Sequence, residues 1–88
     1  MTMVDEIHTV TATQGDDEIA TIRGMLNDGD TPDRMRDALR DALWDQEETA
    51  VIAAFDQAFA ACEAIPGDGA TGEAEAGDVT IRITRTIG

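Results

Sequence analysis

The sequence predicts a small α+β domain, and three observations carry that expectation. Residues 6–13, Glu-Ile-His-Thr-Val-Thr-Ala-Thr, are rich in β-branched side chains and read as a strand. Near the other end Val79, Ile81 and Ile83 alternate with Thr80, Arg82 and Thr84, the period of two that marks a strand with one buried face. Between them Thr31-Pro32-Asp33 opens a pattern of apolar residues spaced three to four apart, which is helical.

Taken in order, the first strand ends at Gln14-Gly15-Asp16, a sequence with turn chemistry. Asp16 or Asp17 is then expected to cap a short helix whose apolar face is Ile19, Ile22 and Leu26, closed by Gly29. The next helix starts for stated reasons. The Thr31 hydroxyl can accept an orphan amide, Pro32 has no amide to leave unpaired, and Asp33 faces the positive end of the dipole. Its stripe is Met35, Leu39, Ala42 and Leu43, and the pattern resumes at Val51, Phe55, Phe59 and Cys62.

One helix from Thr31 to Ile65 would be about 50 Å long. A compact chain of this size has a radius of gyration of roughly 12 Å. A break is therefore expected at residues 45–49, where Asp45 and Glu48 have capping-box spacing with the aspartate as cap. Residues 66–77 contain Gly67, Gly69, Gly72 and Gly77 and no large apolar group, which predicts a flexible acidic loop over 66–78.

The expected architecture is one domain over 1–88, with the N- and C-terminal strands pairing antiparallel and about three helices packed on one face. A two-stranded sheet is marginal alone, so its open edges could pair with a second copy, as a homodimer, or with a partner's sheet.

Composition narrows the function. The aromatic residues are Trp44, Phe55 and Phe59, so the core must rest on aliphatic side chains and alanine. No apolar run approaches the roughly 20 residues of a membrane span, and the N-terminus lacks the pattern of a signal peptide, so a cytoplasmic location is expected. Cys62 is the single cysteine; without a disulfide or a zinc cluster to join, it reads as a small buried apolar residue. The charge says most. Nineteen acids face six arginines and no lysine, for a net charge of −13. Such a field repels nucleic acid, anionic membranes and acidic substrates, and attracts basic surfaces. A halophilic host or a high-G+C genome would produce a similar composition.

The residues for catalysis are sparse. His8 lies on a strand with no recognisable triad around it and reads as a surface or pairing residue. Asp28-Gly29-Asp30 resembles a fragment of a calcium loop, but the alternating ligands and terminal glutamate are missing. No glycine motif has the strand and helix order of a phosphate cradle. The expectation is a protein that is not an enzyme, with no cofactor and no metal.

One pattern stands out: Asp33, Asp37, Asp41 and Asp45 recur at four-residue steps. On a helix they form a nearly straight stripe with a rise of about 6 Å per step. Arg36 and Arg40, three residues beyond Asp33 and Asp37, offset part of the repulsion. A row of carboxylates with this spacing is of the same order as successive phosphates on one nucleic-acid strand, and suits a basic groove built for DNA or RNA.

In its size, its charge and the Asp33 to Asp45 stripe, the chain resembles the small acidic anti-CRISPR proteins of phages and mobile elements, several of which act as nucleic-acid mimics. The resemblance implies a non-enzymatic inhibitor that occupies the basic nucleic-acid-binding surface of a partner, such as a CRISPR effector complex, and blocks its target DNA. The partner-binding residues would be Asp33, Asp37, Asp41, Asp45 and Glu48. The alternative is a small structural or adaptor module whose acidity reflects its host, working through residues 51–62 or a free strand edge.

Overall fold

The structure, a computed structural model, describes residues 6–24 and 31–87. It contains strand β1 (Glu6–Gln14), strand β2 (Asp17–Gly24), helix α1 (Thr31–Ala42), helix α2 (Glu48–Glu63), strand β3 (Thr71–Ala76) and strand β4 (Val79–Ile87). The strands form one antiparallel sheet in the order β2-β1-β4-β3. The terminal strands do pair antiparallel, and they are its centre: Val10 faces Ile83 and Ala12 faces Ile81.

Two elements differ from the sequence expectation. The segment expected as a short helix after Asp16 is β2, so the domain has two helices among the described residues and not about three. Gly15 takes a positive φ of 63° in a two-residue turn, Gln14 pairs with Asp17, and the chain returns along β1. A glycine at the first turn position suits the twist of a hairpin. Ile19 and Ile22 have helical spacing, but backbone pairing to β1 decides the conformation. Ile22 turns to the core while Ile19 is half exposed where the register shifts opposite Ala12 and Thr13. Leu26 and Gly29, and with them Asp28 and Asp30, lie outside the described residues.

The second difference is the segment expected as a flexible loop. Residues 71–76 form β3, and Gly77-Asp78 makes a second two-residue turn, with a φ of 61° at Gly77. The remaining connection is tied to β4. Gly69 N–H donates to Arg85 O at 2.8 Å, Arg85 N–H to Ala70 O at 2.8 Å, and Ile87 N–H to Asp68 Oδ1 at 2.9 Å.

The helical break falls as expected. α1 ends at Ala42 and α2 begins at Glu48, but the cap residue is Glu47, whose side chain makes no capping hydrogen bond, and not Asp45. Leu43 N–H still bonds to Leu39 O, and Gln46 N–H bonds back to Leu43 O, each at 2.9 Å.

Both helices cover one face of the sheet. Alternate residues of β4 (Val79, Ile81, Ile83) and Val10 and Ala12 of β1 are buried against Met35, Leu39, Val51, Ala54, Phe55, Ala58 and Cys62. The small alanines of α2 let it lie close to β3, where Gly72 has no side chain to keep them apart. The other face carries Thr9, Thr11, Thr80 and Thr84 with the Arg82–Glu73 pair, whose Nε and Oε2 are 2.6 Å apart. Among the described residues no helix is long and apolar enough to cross a membrane.

Candidate functional site

The register places charge unevenly. Gln14 pairs with both Asp17 and Val79, so the turns at Gly15-Asp16 and Gly77-Asp78 lie side by side at one end of the sheet. The turn between the helices joins them: a Cβ on Gly77 would be 2.6 Å from Oε1 of Gln46. Three connections therefore converge, bringing exposed Asp16, Asp17, Glu18, Asp45, Glu47, Glu48, Glu75 and Asp78 to one end of the molecule. Of these, only Glu48 has an ion-pair partner among the described residues, Arg40 at 3.1 Å. Trp44 stands in the same turn and is 83% exposed.

The aspartate stripe is rearranged. Asp33, Asp37 and Asp41 lie on α1 and are exposed, whereas Asp45 sits beyond the end of that helix, in the turn. Each helical aspartate has an arginine near it. Asp33 accepts from Arg36 at 2.8 Å, and Arg40 lies 3.7 Å from Asp37 and 3.8 Å from Asp41. With Arg34, Arg36 and Arg40 against Asp33, Asp37 and Asp41, the helix as a whole is neutral. Arg36 also reaches Asp56 at 2.8 Å, so the arginines clamp α1 to α2 as well as shielding the stripe. The Arg40 guanidinium is held above its ordinary pKa, first by its hydrogen bond to Glu48 and then by the charge of Asp37. Among the described residues most of the acid without an ion-pair partner lies at the turn end, and the sequence signal for it is the pair of Gly-Asp turns.

At the opposite end a part-buried ionic cluster forms. His8 on β1 is fully buried, so of the two readings, surface or pairing residue, the surface one is corrected; its Nε2 is 3.0 Å from Oε1 of Glu63 at the end of α2. The carboxylate partner places the imidazole proton on Nε2. Nδ1 has no hydrogen-bond partner among the described residues, and the ring meets Phe59 edge-on with centroids 5.7 Å apart. Arg85 on β4, 4% exposed, donates to Glu63 Oε2 at 3.3 Å, to Gly67 O at 3.0 Å and to Ile65 O. It thereby satisfies carbonyls of the connection that follows α2. With no exposed surface, His8 offers no atom to a substrate. Among the described residues no group of three or more His, Cys, Asp or Glu could hold a metal ion.

Cys62 is buried beside this cluster, with Sγ 3.3 Å from Ala70 O. Burial pushes the thiol pKa up, against the pull of the Arg85 charge. Because the folded thiol holds its proton more tightly than the unfolded one, this group's contribution weakens as pH rises past the ordinary thiol value of about 8.5. Iodoacetamide at pH 8 is expected to modify Cys62 about a hundredfold more slowly in the folded protein than in urea, read by intact mass. Equal rates would mean that the end of α2 opens freely.

Comparison with family models, with curated proteins and with solved structures finds no match to the chain.

Proposed function

We propose that the protein is a non-enzymatic inhibitor that binds the basic nucleic-acid-binding surface of a partner protein and excludes the nucleic acid, in the manner of a DNA mimic. The observation that carries this reading is the convergence of three acidic turns, with Asp16, Asp17, Glu18, Asp45, Glu47, Glu48, Glu75 and Asp78 at one end and one arginine paired among them. Asp41, Asp37 and Asp33 continue the acidic line along α1, at lower net charge because of their arginines. A concentrated negative surface attracts a basic groove and gains by releasing its counterions, as DNA does. A CRISPR effector complex is one partner with such a groove, and the cytoplasm is where the two would meet.

The test is competition. A tagged protein is used to capture partners from a bacterial lysate containing a CRISPR effector, washed at about 0.1 M and about 0.5 M salt, and the partner is assayed for DNA binding. The expected result is a basic protein retained only at low salt, because screening shortens the reach of exposed charges, and losing its DNA as inhibitor is added. The combined variant Asp45→Lys, Glu47→Lys, Glu48→Lys should weaken capture at least about tenfold. A partner indifferent to both salt and variant would favour an adaptor module working through the half-exposed Ile19 on the β2 edge.

A further inference from the structure

We infer that Trp44 is the anchor of the acidic end and that it receives an arginine of the partner, whose guanidinium stacks on the indole while neighbouring carboxylates neutralise it. The inference rests on the acidic-surface reading and adds to it a contact residue and the kind of side chain it takes.

Trp44 is not part of the hydrophobic core of the described residues. Phe55 is completely buried and Phe59 packs against the core, whereas Trp44, the only tryptophan, is 83% exposed. A large aromatic surface left in water is an unusual use of such a residue, and tryptophan is the side chain most enriched among residues that dominate binding. Its backbone is held from both sides. Leu43 before it is buried and bonds back to Leu39, and Gln46 after it bonds to Leu43, so the indole stands on a fixed turn. Binding then does not have to order a loose loop.

The chemistry of the occupant follows from the neighbours. Asp41, Asp45, Glu47 and Glu48 flank the tryptophan in the chain and are exposed. The nearest arginine in the chain, Arg40, is engaged by Asp37, Asp41 and Glu48. The one arginine found over an aromatic ring among the described residues is Arg36, on Phe55 at 5.4 Å. The indole face is thus open to an outside cation. Guanidinium suits it better than ammonium: it is planar, weakly hydrated and able to stack, and its fork can reach a carboxylate at the same time.

The single tryptophan also makes the test direct. Its fluorescence is followed while deca-arginine or deca-lysine is added at about 0.1 M salt, and affinities are checked by calorimetry. The expected result is a saturable change with tighter binding of deca-arginine. Trp44→Ala should weaken deca-arginine about tenfold, leave deca-lysine within about twofold, and leave the melting temperature unchanged, while Trp44→Phe recovers part of the loss. If both peptides bind the native protein and Trp44→Ala binds deca-arginine as tightly, the anchor is wrong and the acidic surface stands. If neither peptide binds, both are wrong. If Trp44→Ala weakens deca-arginine but Asp45→Lys, Glu47→Lys, Glu48→Lys does not, the carboxylates do not neutralise the bound arginine and both the inference as stated and the acidic-surface reading are wrong.

Discussion

Gly72→Ala is expected to destabilise the protein by about 3 kcal/mol or more, a loss of about 15 °C in melting temperature for a domain of this size. A Cβ at this position would lie 2.0 Å from Ala58 O, 2.6 Å from Cys62 N and 2.9 Å from Ala61 Cβ. Two of these atoms are helix backbone. No rotamer change can relieve the overlap, so α2 must lift from β3 or the strand must leave the sheet. Either movement opens the layer in which Ala54, Ala58 and Cys62 are packed. Gly69→Ala is the control. That glycine has a φ of 82° and nothing within 4 Å of its added Cβ, so it should cost only the backbone strain, about 1 kcal/mol. Far-UV circular dichroism during thermal and urea unfolding separates the two; the fluorescence of exposed Trp44 would report the transition poorly. A melting temperature unchanged by Gly72→Ala would contradict the close approach of α2 to the sheet.

Arg85→Met should cost about 2 kcal/mol, the second largest effect expected. Methionine preserves much of the aliphatic stem and removes the donors, so the loss reports on hydrogen bonds and charge. The carbonyls of Ile65 and Gly67 lose their partner, and Glu63 keeps only His8. Removing one member of a fully buried ion pair costs about 3 to 5 kcal/mol, but the Glu63 side chain is 44% exposed and water replaces part of what is lost. The measurement is the urea midpoint, with amide exchange of residues 64–70 as a local readout. Faster exchange there with an intact sheet would show Arg85 acting as the clasp between α2 and β4. A loss of stability under about 0.5 kcal/mol, from the midpoint and its slope, would mean that the cluster is incidental.

Neither position is legible in the sequence. Gly72 lies in a stretch that reads as a loop because it holds four glycines and no large apolar group. Its strand conformation comes from pairing with β4 and from α2 lying on Gly72. The cluster of His8, Glu63 and Arg85 joins residues 55 and 22 positions apart, and no local pattern signals such a meeting. By contrast, Gln-Gly-Asp-Asp and Ala-Gly-Asp-Val both carry the two-residue hairpin signal. At Gly15-Asp16 that signal outweighs the helical spacing of Ile19 and Ile22, and the chain turns back as β2.

The sequence by itself determined the elements whose pattern is strong over a short span. The β-branched run of β1, the alternation of β4, the start of α1 at Thr31 and the break before Glu48 all follow from side chains acting on their own backbone or from the length a compact domain allows. It also determined the net charge, which no fold can change. Only the tertiary structure decided that Asp33, Asp37 and Asp41 stand near arginines while the acids of three separate turns gather around an exposed Trp44. The physical reason is range. Propensity and periodicity act over a few residues, whereas strand pairing, helix docking and the meeting of charges depend on which distant segments the closed sheet brings together.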